Sequence, residues 1–377
     1  MNRRSALALL SAAAVKGIAK SDRVLIAGAG IIGASIAYHL AQRGANVTVL
    51  EKERPGAGAT SKSFAWLNSF SKQPRSYYEL NLLGMAGWRR LAAEIPELRV
   101  EWGGSVQWSV GQSAERLRRN VARLEQWGYA AHLIDPPELA KLLPGFTPGS
   151  FDAAAFADAE ATVDPVEALG AILRAAQKMG ARVEYPCEVT GISAAGGEAK
   201  SIATTRGTFE LDFLVLAAGN DTPRLARMVE VNVPLKESIG LLAHSAPASR
   251  LASRIAVAPG ATIKQNPDGR IVTGTDFGNS GTIDTSRAYG EKLLANAAQF
   301  LPGIREARLE VVTLGHRVMP KDDHPIVGFT GKCRNLYVAA MHSGMTLSPV
   351  IGQLAAGEIL DGVSVDLLND YRPARFA

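Results

Sequence analysis

The chain has 377 residues, 47% of them hydrophobic, and 41 Lys and Arg against 36 Asp and Glu give a formal net charge of +5. This length allows about two or three domains with a large buried core, which excludes a disordered chain, a collagen-like repeat and a small disulfide-stabilised scaffold. The two cysteines, Cys187 and Cys333, are too few for a disulfide framework, and we expect both to be reduced core residues.

The first twenty residues differ in composition from the rest of the chain. They contain four basic residues, Arg3, Arg4, Lys16 and Lys20, and no acidic one, with an apolar run between the basic groups. This layout is typical of a signal segment, and the paired arginines resemble a twin-arginine leader. A frayed N-terminus of a cytoplasmic protein would have the same composition, so a periplasmic and a cytoplasmic location both stay open.

Most of the net positive charge comes from this N-terminal segment. Without its four basic residues the chain has 37 basic against 36 acidic groups, a net charge of +1. We therefore expect no nucleic-acid partner. No later segment has the roughly 18 uninterrupted apolar residues that a transmembrane helix needs, so no membrane span is expected.

A nucleotide-binding pattern follows directly. An apolar run (23–27) predicts a strand, the sequence GAGIIG opens a helix, and a second apolar run (46–50) predicts the next strand. In this pattern Gly28 permits a tight turn, Gly30 lets the backbone approach a pyrophosphate, and Gly33 allows close packing of the helix. The free N–H groups at the start of the helix can bind phosphate oxygens.

An acidic residue, Glu51, ends the second strand. Its carboxylate would accept hydrogen bonds from the ribose hydroxyls of an adenosine and would repel a 2′-phosphate. These features predict a dinucleotide site, and a glycine-rich turn in another α/β protein is the alternative interpretation. The chain then enters a loop rich in Gly, Ser and Thr (54–69), which could hold a second half of the cofactor or be a surface connection.

Two later segments extend the same nucleotide-binding domain. Residues 213–217 (FLVLA) predict a buried parallel strand with Gly219 near its carboxyl end. Residues 335–340 predict another strand, which is followed by a loop (341–349) and a helix (350–360). The domain is therefore expected to be assembled from separated pieces of the chain.

Six segments occur in an order that is specific for one group of proteins. In chain order they are AGAGIIGASIAYHLAQRGANVTVLEKE, GAGATSKSFAWLN, VDPVEAL, VLAAGN, GHRVMPKDDHPIVG and MHSGMTLSPVIG. With them, the chain from about residue 24 to residue 376 resembles the FAD-dependent oxidoreductases of the D-amino-acid oxidase, glycine oxidase and sarcosine oxidase superfamily. The resemblance implies a mixed α/β (α+β) fold, with a Rossmann-like FAD-binding domain and a second, largely antiparallel-sheet substrate domain.

The resemblance also implies domain limits and cofactor contacts. The FAD-binding domain would comprise residues 22–84, 151–224 and 315–377, and the substrate domain residues 85–150 and 225–314. The implied FAD contacts are Gly28, Gly30, Ile31, Ile32, Gly33, Glu51, Lys52, Thr60, Ser61, Val189, Ala218, Gly219, Gly344, Met345, Thr346 and Leu347.

Candidate substrate contacts lie near the end of the chain. Arg317 matches the carboxylate-binding arginine that the resemblance implies, and its planar fork suits the two oxygens of a carboxylate. An ion pair with Asp322 or Asp323 is the alternative. His316 and His342 flank the same region and could contact substrate or flavin, or be structural residues.

Two positions beside this arginine depart from relatives in the superfamily. Val318 stands where a proline is usual, and Gly315 stands where some sarcosine oxidases carry the cysteine that binds FAD covalently. We therefore expect non-covalent FAD. No metal site is expected, since the six histidines are scattered and no metal-ligand spacing occurs.

The resemblance implies oxidation of the C–N bond of a small amino acid or secondary amine, by hydride transfer to flavin N5. A 2-hydroxy-acid dehydrogenase of the same fold and a non-catalytic flavin-binding redox or assembly module are the alternatives. The electron acceptor would be oxygen, or a quinone or other carrier. Oxidases of this type often place a lysine near the flavin; residues 275–286 contain none, which favours a carrier, with Lys264 and Lys236 as unplaced substitutes.

Overall fold

The computed structural model describes residues 17, 19, 21–275 and 283–377. The predicted signal segment, residues 1–20, therefore lies almost wholly outside the described residues, as does most of the lysine-free segment 275–286. Both cysteines are free and buried, which confirms the prediction for them. Within the described part of the chain, no helix is long and apolar enough to span a membrane.

Strands and helices are mixed in the first half of the chain, and runs of successive strands follow in the second half. The strands are β1 (Arg23–Ala27), β2 (Asn46–Leu50), β3 (Trp66–Leu67), β4 (Ser105–Ser109), β5 (Ala131–Ile134), β6 (Ala153–Ala157), β7 (Ala161–Thr162), β8 (Arg182–Glu184), β9 (Val189–Ala195), β10 (Glu198–Thr204), β11 (Gly207–Glu210), β12 (Phe213–Leu216), β13 (Leu235–Lys236), β14 (Ile239–Ser245), β15 (Ile255–Ala258), β16 (Ala261–Gln265), β17 (Ile271–Gly274), β18 (Leu309–His316), β19 (Met319–Pro320), β20 (Ile326–Phe329) and β21 (Leu336–Ala340). The helices are α1 (Ile31–Gln42), α2 (Arg75–Glu94), α3 (Gly111–Gln126), α4 (Pro136–Leu142), α5 (Pro165–Lys178), α6 (Thr222–Arg227), α7 (Arg287–Ala298) and α8 (Gly344–Asp361).

A six-stranded sheet forms the first layer, in the order β20-β21-β12-β1-β2-β8. Its strands pair in parallel except for the antiparallel pair β20 and β21. Strands β1 and β2 have the limits that the sequence predicts. Because β2 and β12 pair with opposite edges of β1, the carboxyl end of β1 is where a doubly wound sheet opens a crevice for ligands.

Alternate residues of β1 face two different cores, because successive side chains of a strand point to opposite faces. Val24 and Ile26 pack in the cluster that contains helices α1, α5 and α8. Leu25 and Ala27 pack in a second cluster with Val189 and other residues of the three-stranded sheet β9–β11. The parallel sheet is therefore covered by helices on one face and by a small antiparallel sheet on the other.

An eight-stranded sheet forms the second part of the molecule, in the order β18-β14-β17-β16-β15-β4-β6-β5. All its pairs are antiparallel except β15 with β4. Helices α4 and α7 pack in one core with it, around Trp108 and Ile263, and α3 packs in another. The Rossmann-like sheet and the largely antiparallel second sheet confirm the predicted fold class.

Three predicted domain boundaries fall inside these elements. The boundary at residue 84 lies within α2, the boundary at residue 224 lies within α6, and the boundary at residue 315 lies within β18. Strand β6, which the prediction assigned to the FAD-binding range 151–224, pairs with β4 and β5 in the eight-stranded sheet. Its sequence, AAAFA, is buried at every position and so has no alternation that would reveal which sheet it joins.

Helix α8 begins at Gly344, earlier than the predicted 350–360, so part of the predicted loop is helical. The prediction started the helix after Pro349, because a proline inside a helix deprives the carbonyl four residues earlier of its partner. Here that carbonyl belongs to Met345, and it accepts hydrogen bonds from Trp88 Nε1 at 2.7 Å and Ser348 Oγ at 3.2 Å. A residue of another helix thus replaces the missing helical hydrogen bond.

Candidate active site

A cavity of about 410 Å³ lies at the carboxyl edge of the six-stranded sheet. The β1–α1 turn, the segment that follows β2, the end of β12 and the first turn of α8 line one side of it. Strands β14 and β16 and residues 315–318 contribute from the eight-stranded sheet and its end. The cavity therefore occupies the position where such sheets bind ligands, enclosed by both parts of the fold.

Three glycines of the β1–α1 turn have distinct steric surroundings. Gly28 has a φ of +108°, and a Cβ there would lie 2.4 Å from the carbonyl oxygen of Ala217. A Cβ on Gly33 would lie 2.0 Å from the carbonyl oxygen of Gly28, so this glycine serves helix packing and does not line the cavity. A Cβ on Gly30 would meet nothing closer than Thr60 Oγ1 at 3.4 Å, so the space beside Gly30 is open to a ligand.

Two helix N-termini face the cavity. Helix α1 begins directly after Gly30, has no side-chain cap and has no acidic residue in its first turn. Its Ile31 N–H donates to Thr60 Oγ1 at 3.1 Å. Helix α8 also lacks a side-chain cap, and Gly344 at its start lines the cavity. Because helix N-termini carry partial positive charge, the cavity favours a ligand with negative charge at these positions.

Glu51 is held in a fixed orientation at the end of β2. Its two carboxylate oxygens accept hydrogen bonds from the backbone N–H groups of Ala29 and Glu53, each at 3.0 Å. The side chain also lines the cavity, beside Lys52 and the buried Cys187. Each carboxylate oxygen has further lone pairs, which can accept the hydroxyl groups of a ribose.

Most of the predicted cofactor contacts lie together on the cavity wall. Those that line it are Gly28, Gly30, Ile31, Ile32, Glu51, Lys52, Thr60, Val189, Ala218, Gly219, Gly344, Met345 and Thr346. Gly33, Ser61 and Leu347 do not line it, and the FAD contacts of these three stay predictions. Leu347 is fully buried, and in the short turn Thr60–Lys62 the flanking residues line the cavity while Ser61 does not.

The three predicted substrate contacts, Arg317, His316 and His342, all line the cavity. Arg317 is positioned by Ser238, whose carbonyl accepts the Arg317 backbone N–H at 2.7 Å and whose Oγ accepts from Nη1 at 3.4 Å. A Cβ on Gly240 would lie 2.6 Å from Nη2 of this arginine. The glycine on β14 therefore leaves the space that the guanidinium group occupies.

The two carboxylates considered as partners of Arg317 have other cations beside them. Asp322 pairs with Arg375 at 2.8 Å. Burial alone would raise the pKa of this aspartate, but hydrogen bonds from Arg375 and from the backbone N–H of His324 hold it below its usual value. Asp323 pairs with Lys236 at 2.7 Å. Neither Lys236 nor the fully buried Lys264 lines the cavity. Lys264 donates to Thr162 Oγ1 and to the carbonyl of Val163.

His342 is neutral at physiological pH. Desolvation in the cavity wall lowers its pKa to about 3, and the positive charges of Lys72 and Arg317 act in the same direction. Its Nδ1 lies 3.4 Å from Ser343 Oγ. The imidazole can therefore exchange hydrogen bonds with a ligand but does not add a positive charge.

Sequence reasoning missed several cavity residues in the segment 62–72. Lys62, Phe64, Trp66, Asn68 and Lys72 all line the wall. Four of them lie in the loop 54–69, which the sequence offered as a possible second cofactor segment without naming these side chains, and Lys72 lies beyond it. Their spacing does not show which side chains face a ligand, because the elements that enclose the segment come from distant parts of the chain.

A buried carboxylate fixes one aromatic residue of this wall. Glu160 is completely buried and accepts hydrogen bonds from Trp66 Nε1 at 2.7 Å, Ser105 Oγ at 2.6 Å and Tyr129 OH at 2.8 Å. Desolvation raises its pKa to about 7 despite these three donors. The indole of Trp66 is thus held by a group behind the cavity wall.

These features define a class of protein: a dinucleotide-binding enzyme with a Rossmann-like sheet, roofed by an antiparallel sheet that contributes to the ligand cavity. The chain belongs to the DAO family, whose model is described as FAD dependent oxidoreductase and matches residues 23–358. The uncapped helix N-termini, the open space beside Gly30 and the fixed Glu51 fit FAD. FAD is the cofactor, as predicted, and Gly315 offers no side chain for a covalent link, in agreement with non-covalent binding.

Curated relatives and a solved structure resemble the chain over most of its length. Glycine oxidase from Bacillus licheniformis is 25% identical over 366 residues, which cover 93% of this chain and 96% of that protein. An opine oxidase subunit from Agrobacterium tumefaciens (strain Ach5) is 26% identical over 367 residues, covering 90% and 95%. The crystal structure of glycine oxidase from Geobacillus kaustophilus superposes with a TM-score of 0.85 at 24% identity, covering 94% and 99% of the two chains.

Proposed function

We propose that this FAD-dependent oxidoreductase acts on CH–NH bonds and oxidises a small amino acid or a carboxylate-bearing secondary amine. The observation that carries the proposal is Arg317, a guanidinium group held in the wall of the cofactor cavity by Ser238 and accommodated by Gly240. Two of the relatives are named glycine oxidase and opine oxidase, which supports the same class of reaction.

Arg317 would bind the substrate carboxylate. Charge-assisted hydrogen bonds of a guanidinium group with a carboxylate are strong and directional, because two N–H groups meet two oxygens in one plane. The contacts with Ser238 hold the arginine in position before the substrate arrives. The arginine would therefore fix the amine-bearing carbon relative to the cofactor as well as contribute affinity.

The charges around the substrate would favour the neutral amine. Lys72 and Arg317 place positive charge at this end of the cavity, and His342 stays uncharged there. Positive potential disfavours the ammonium form of a bound amine and so lowers its pKa. Bound FAD supplies the two-electron acceptor that takes the hydride from the amine-bearing carbon. No separate catalytic base is needed in this proposal.

The identity of the electron acceptor, oxygen or a carrier such as a quinone, stays a prediction. The sequence argument for a carrier rested on a segment without lysine, most of which lies outside the described residues. Lys62 and Lys72 from another segment line the cavity, so cavity lysines are present after all. The rate at which the reduced protein is reoxidised by air, compared with a soluble quinone, decides between oxygen and a carrier.

Anaerobic bleaching of the flavin absorption tests the proposed reaction. The purified protein is mixed with amino acids, secondary amines and 2-hydroxy acids, and we expect reduction by amines only. Arg317→Met is expected to lower kcat/KM by about a hundredfold, from the loss of charge-assisted hydrogen bonds. Arg119→Met, which removes an exposed arginine of α3, is the matched control and should leave kcat/KM unchanged. Reduction by hydroxy acids alone, or by no small molecule, would refute the proposal.

A further inference from the structure

Lys72 is a cavity residue that the proposed reaction does not require. It lies on the loop between β3 and α2, lines the cavity and is half-buried. Its Nζ donates a hydrogen bond to Ser343 Oγ at 2.9 Å, and it lies 6.0 Å from the centre of the Tyr77 ring. Among the described residues no carboxylate forms a salt bridge with it, and Glu160 acts on it only at longer range.

Lys72 and Arg317 share one end of the cavity. Ser343 Oγ accepts the hydrogen bond from Lys72 Nζ and lies 3.4 Å from His342 Nδ1, and Arg317 lines the same cavity as His342. The positive charges of both cations lower the pKa of this histidine, in agreement with that placement. Desolvation lowers the pKa of Lys72 to about 8, which still leaves it mostly protonated at neutral pH. Lys62 adds a third cationic side chain to the wall.

The three acidic residues among the described cavity residues have partners of their own. Glu51 ends β2 and is bound by the backbone of the glycine-rich turn. Glu188 and Asp221 both lie beside Arg224, at 3.5 Å and 2.7 Å. Nearer to His342, Asp323 acts on the imidazole from its ion pair with Lys236, and Glu160 acts on Lys72 at longer range.

We propose that Lys72 forms a second anionic subsite, and that the substrate is an amine with two carboxylate groups, one bound by Arg317 and the other by Lys72. This inference rests on the proposed function, which supplies the first carboxylate. A monocarboxylate on Arg317 leaves the desolvated ammonium group of Lys72 without a carboxylate counter-charge in direct contact among the described residues, which is unfavourable. A second carboxylate provides that counter-charge. It would accept a further hydrogen bond from Lys72 Nζ, which already donates one to Ser343 Oγ.

Non-reactive dicarboxylates test the subsite independently of turnover. The FAD-loaded protein is titrated with malonate, succinate and glutarate, and with acetate, propionate and butyrate as monocarboxylate controls, and binding is followed by perturbation of the oxidised flavin spectrum. We expect at least one dicarboxylate to bind about ten- to a hundredfold more tightly than the monocarboxylates, as a charge-assisted hydrogen bond provides. Equal affinities for both series in the wild-type protein would overturn the proposal.

Substitutions of Lys72 test whether the tighter binding of dicarboxylates depends on this residue. Lys72→Met keeps the length of the side chain and removes the charge, so the ratio of dicarboxylate to monocarboxylate affinity should fall about tenfold or more, whereas Lys72→Arg should keep most of it. Lys141→Met, at an exposed position of α4, is the matched control. An unchanged ratio in Lys72→Met, or an effect confined to the rate of reoxidation by oxygen, would overturn the proposal.

Substrate turnover distinguishes a failure of the second subsite at Lys72 from a failure of the proposed function. Iminodiacetate and N-methylglycine differ in one carboxylate, and we expect iminodiacetate to reduce the flavin with the higher kcat/KM. If both amines reduce the flavin equally well, the second subsite is wrong and the proposed function stands. If neither these nor any other amine reduces it, the proposed function fails, and the dicarboxylate titration still decides whether Lys72 binds an anion.

Discussion

Adding one methyl group at Gly33 or at Gly30 separates the packing role of the glycine-rich turn from its cofactor role. In Gly33→Ala the new Cβ would lie 2.0 Å from the carbonyl oxygen of Gly28, and contacts below 3.0 Å require the backbone to move. Overpacking of this kind costs about 1–3 kcal/mol. We expect Gly33→Ala to lower the free energy of unfolding by that amount, whether or not FAD is present.

Gly30→Ala should affect the cofactor alone. Its Cβ would meet no atom closer than 3.4 Å, which is ordinary van der Waals contact, and its φ of −77° is one that alanine adopts readily. The methyl group would instead occupy the open space in which the pyrophosphate is expected to lie. We therefore expect the Kd of FAD to rise about tenfold or more, with the unfolding of the FAD-free protein changed by less than about 0.5 kcal/mol.

Thermal unfolding and FAD titration of the apoprotein, followed by flavin fluorescence, measure the two effects separately. Gly357→Ala is the control, since nothing lies within 4 Å of its Cβ position in α8 and it does not line the cavity. It should leave FAD affinity unchanged and stabilise the helix slightly. If Gly30→Ala binds FAD as tightly as the wild type, or destabilises the FAD-free protein as much as Gly33→Ala, the assignment of roles is refuted.

Three further substitutions test buried contacts. Trp88→Phe removes the indole donor to the Met345 carbonyl and should cost about 1–3 kcal/mol in urea unfolding. Arg372→Met leaves the buried Glu358 carboxylate without its bidentate partner and should cost about 3–5 kcal/mol by the same assay. The raised pKa of Glu160 means that the folded protein keeps this proton when the unfolded chain has lost it. Stability should therefore fall as pH rises from 4.5 to about 7, by about 3 kcal/mol, and Glu160→Gln should remove this slope.

Each of these three has an outcome that contradicts it. A Trp88→Phe protein as stable as the wild type would mean that Ser348 alone satisfies the Met345 carbonyl. The Arg372→Met and Glu358→Gln double variant should recover part of the loss, and strictly additive losses would exclude coupling of this ion pair. An unchanged pH slope in Glu160→Gln would show that another group titrates in this range.

The adenosine side of the site could be predicted from sequence because its chemistry is local. Gly28, Gly30 and Glu51 lie within a short stretch, and each is positioned by the turn or strand to which it belongs. The substrate side could not be predicted as fully, because its wall combines distant segments. In the sequence Lys72 is an ordinary loop residue. Only the folded structure brings it beside Ser343 and the rest of the cavity wall.

Long-range contacts also explain where the structure differs from the predicted start of helix α8 and from the sheet expected for strand β6. Pro349 predicts a helix start by local rules, but inside α8 the distant Trp88 and the neighbouring Ser348 satisfy the carbonyl that the proline leaves without its helical partner. Strand β6 pairs with β4 and β5 in the eight-stranded sheet. Its sequence, AAAFA, is buried at every position and does not show with which strands it pairs. Local sequence patterns therefore predicted the presence of strands and helices more reliably than the contacts that these elements make with one another.

The spread of cavity residues along the chain determines when the cofactor can bind during synthesis. Ala27 and Thr346 line the same cavity although almost the whole chain lies between them. Strand β21, which pairs with β12, and the first turn of α8 are made only after every strand of the eight-stranded sheet. The enclosed FAD site is therefore completed only once synthesis has passed Thr346, so cofactor capture is a late step that a chain truncated before α8 cannot reach.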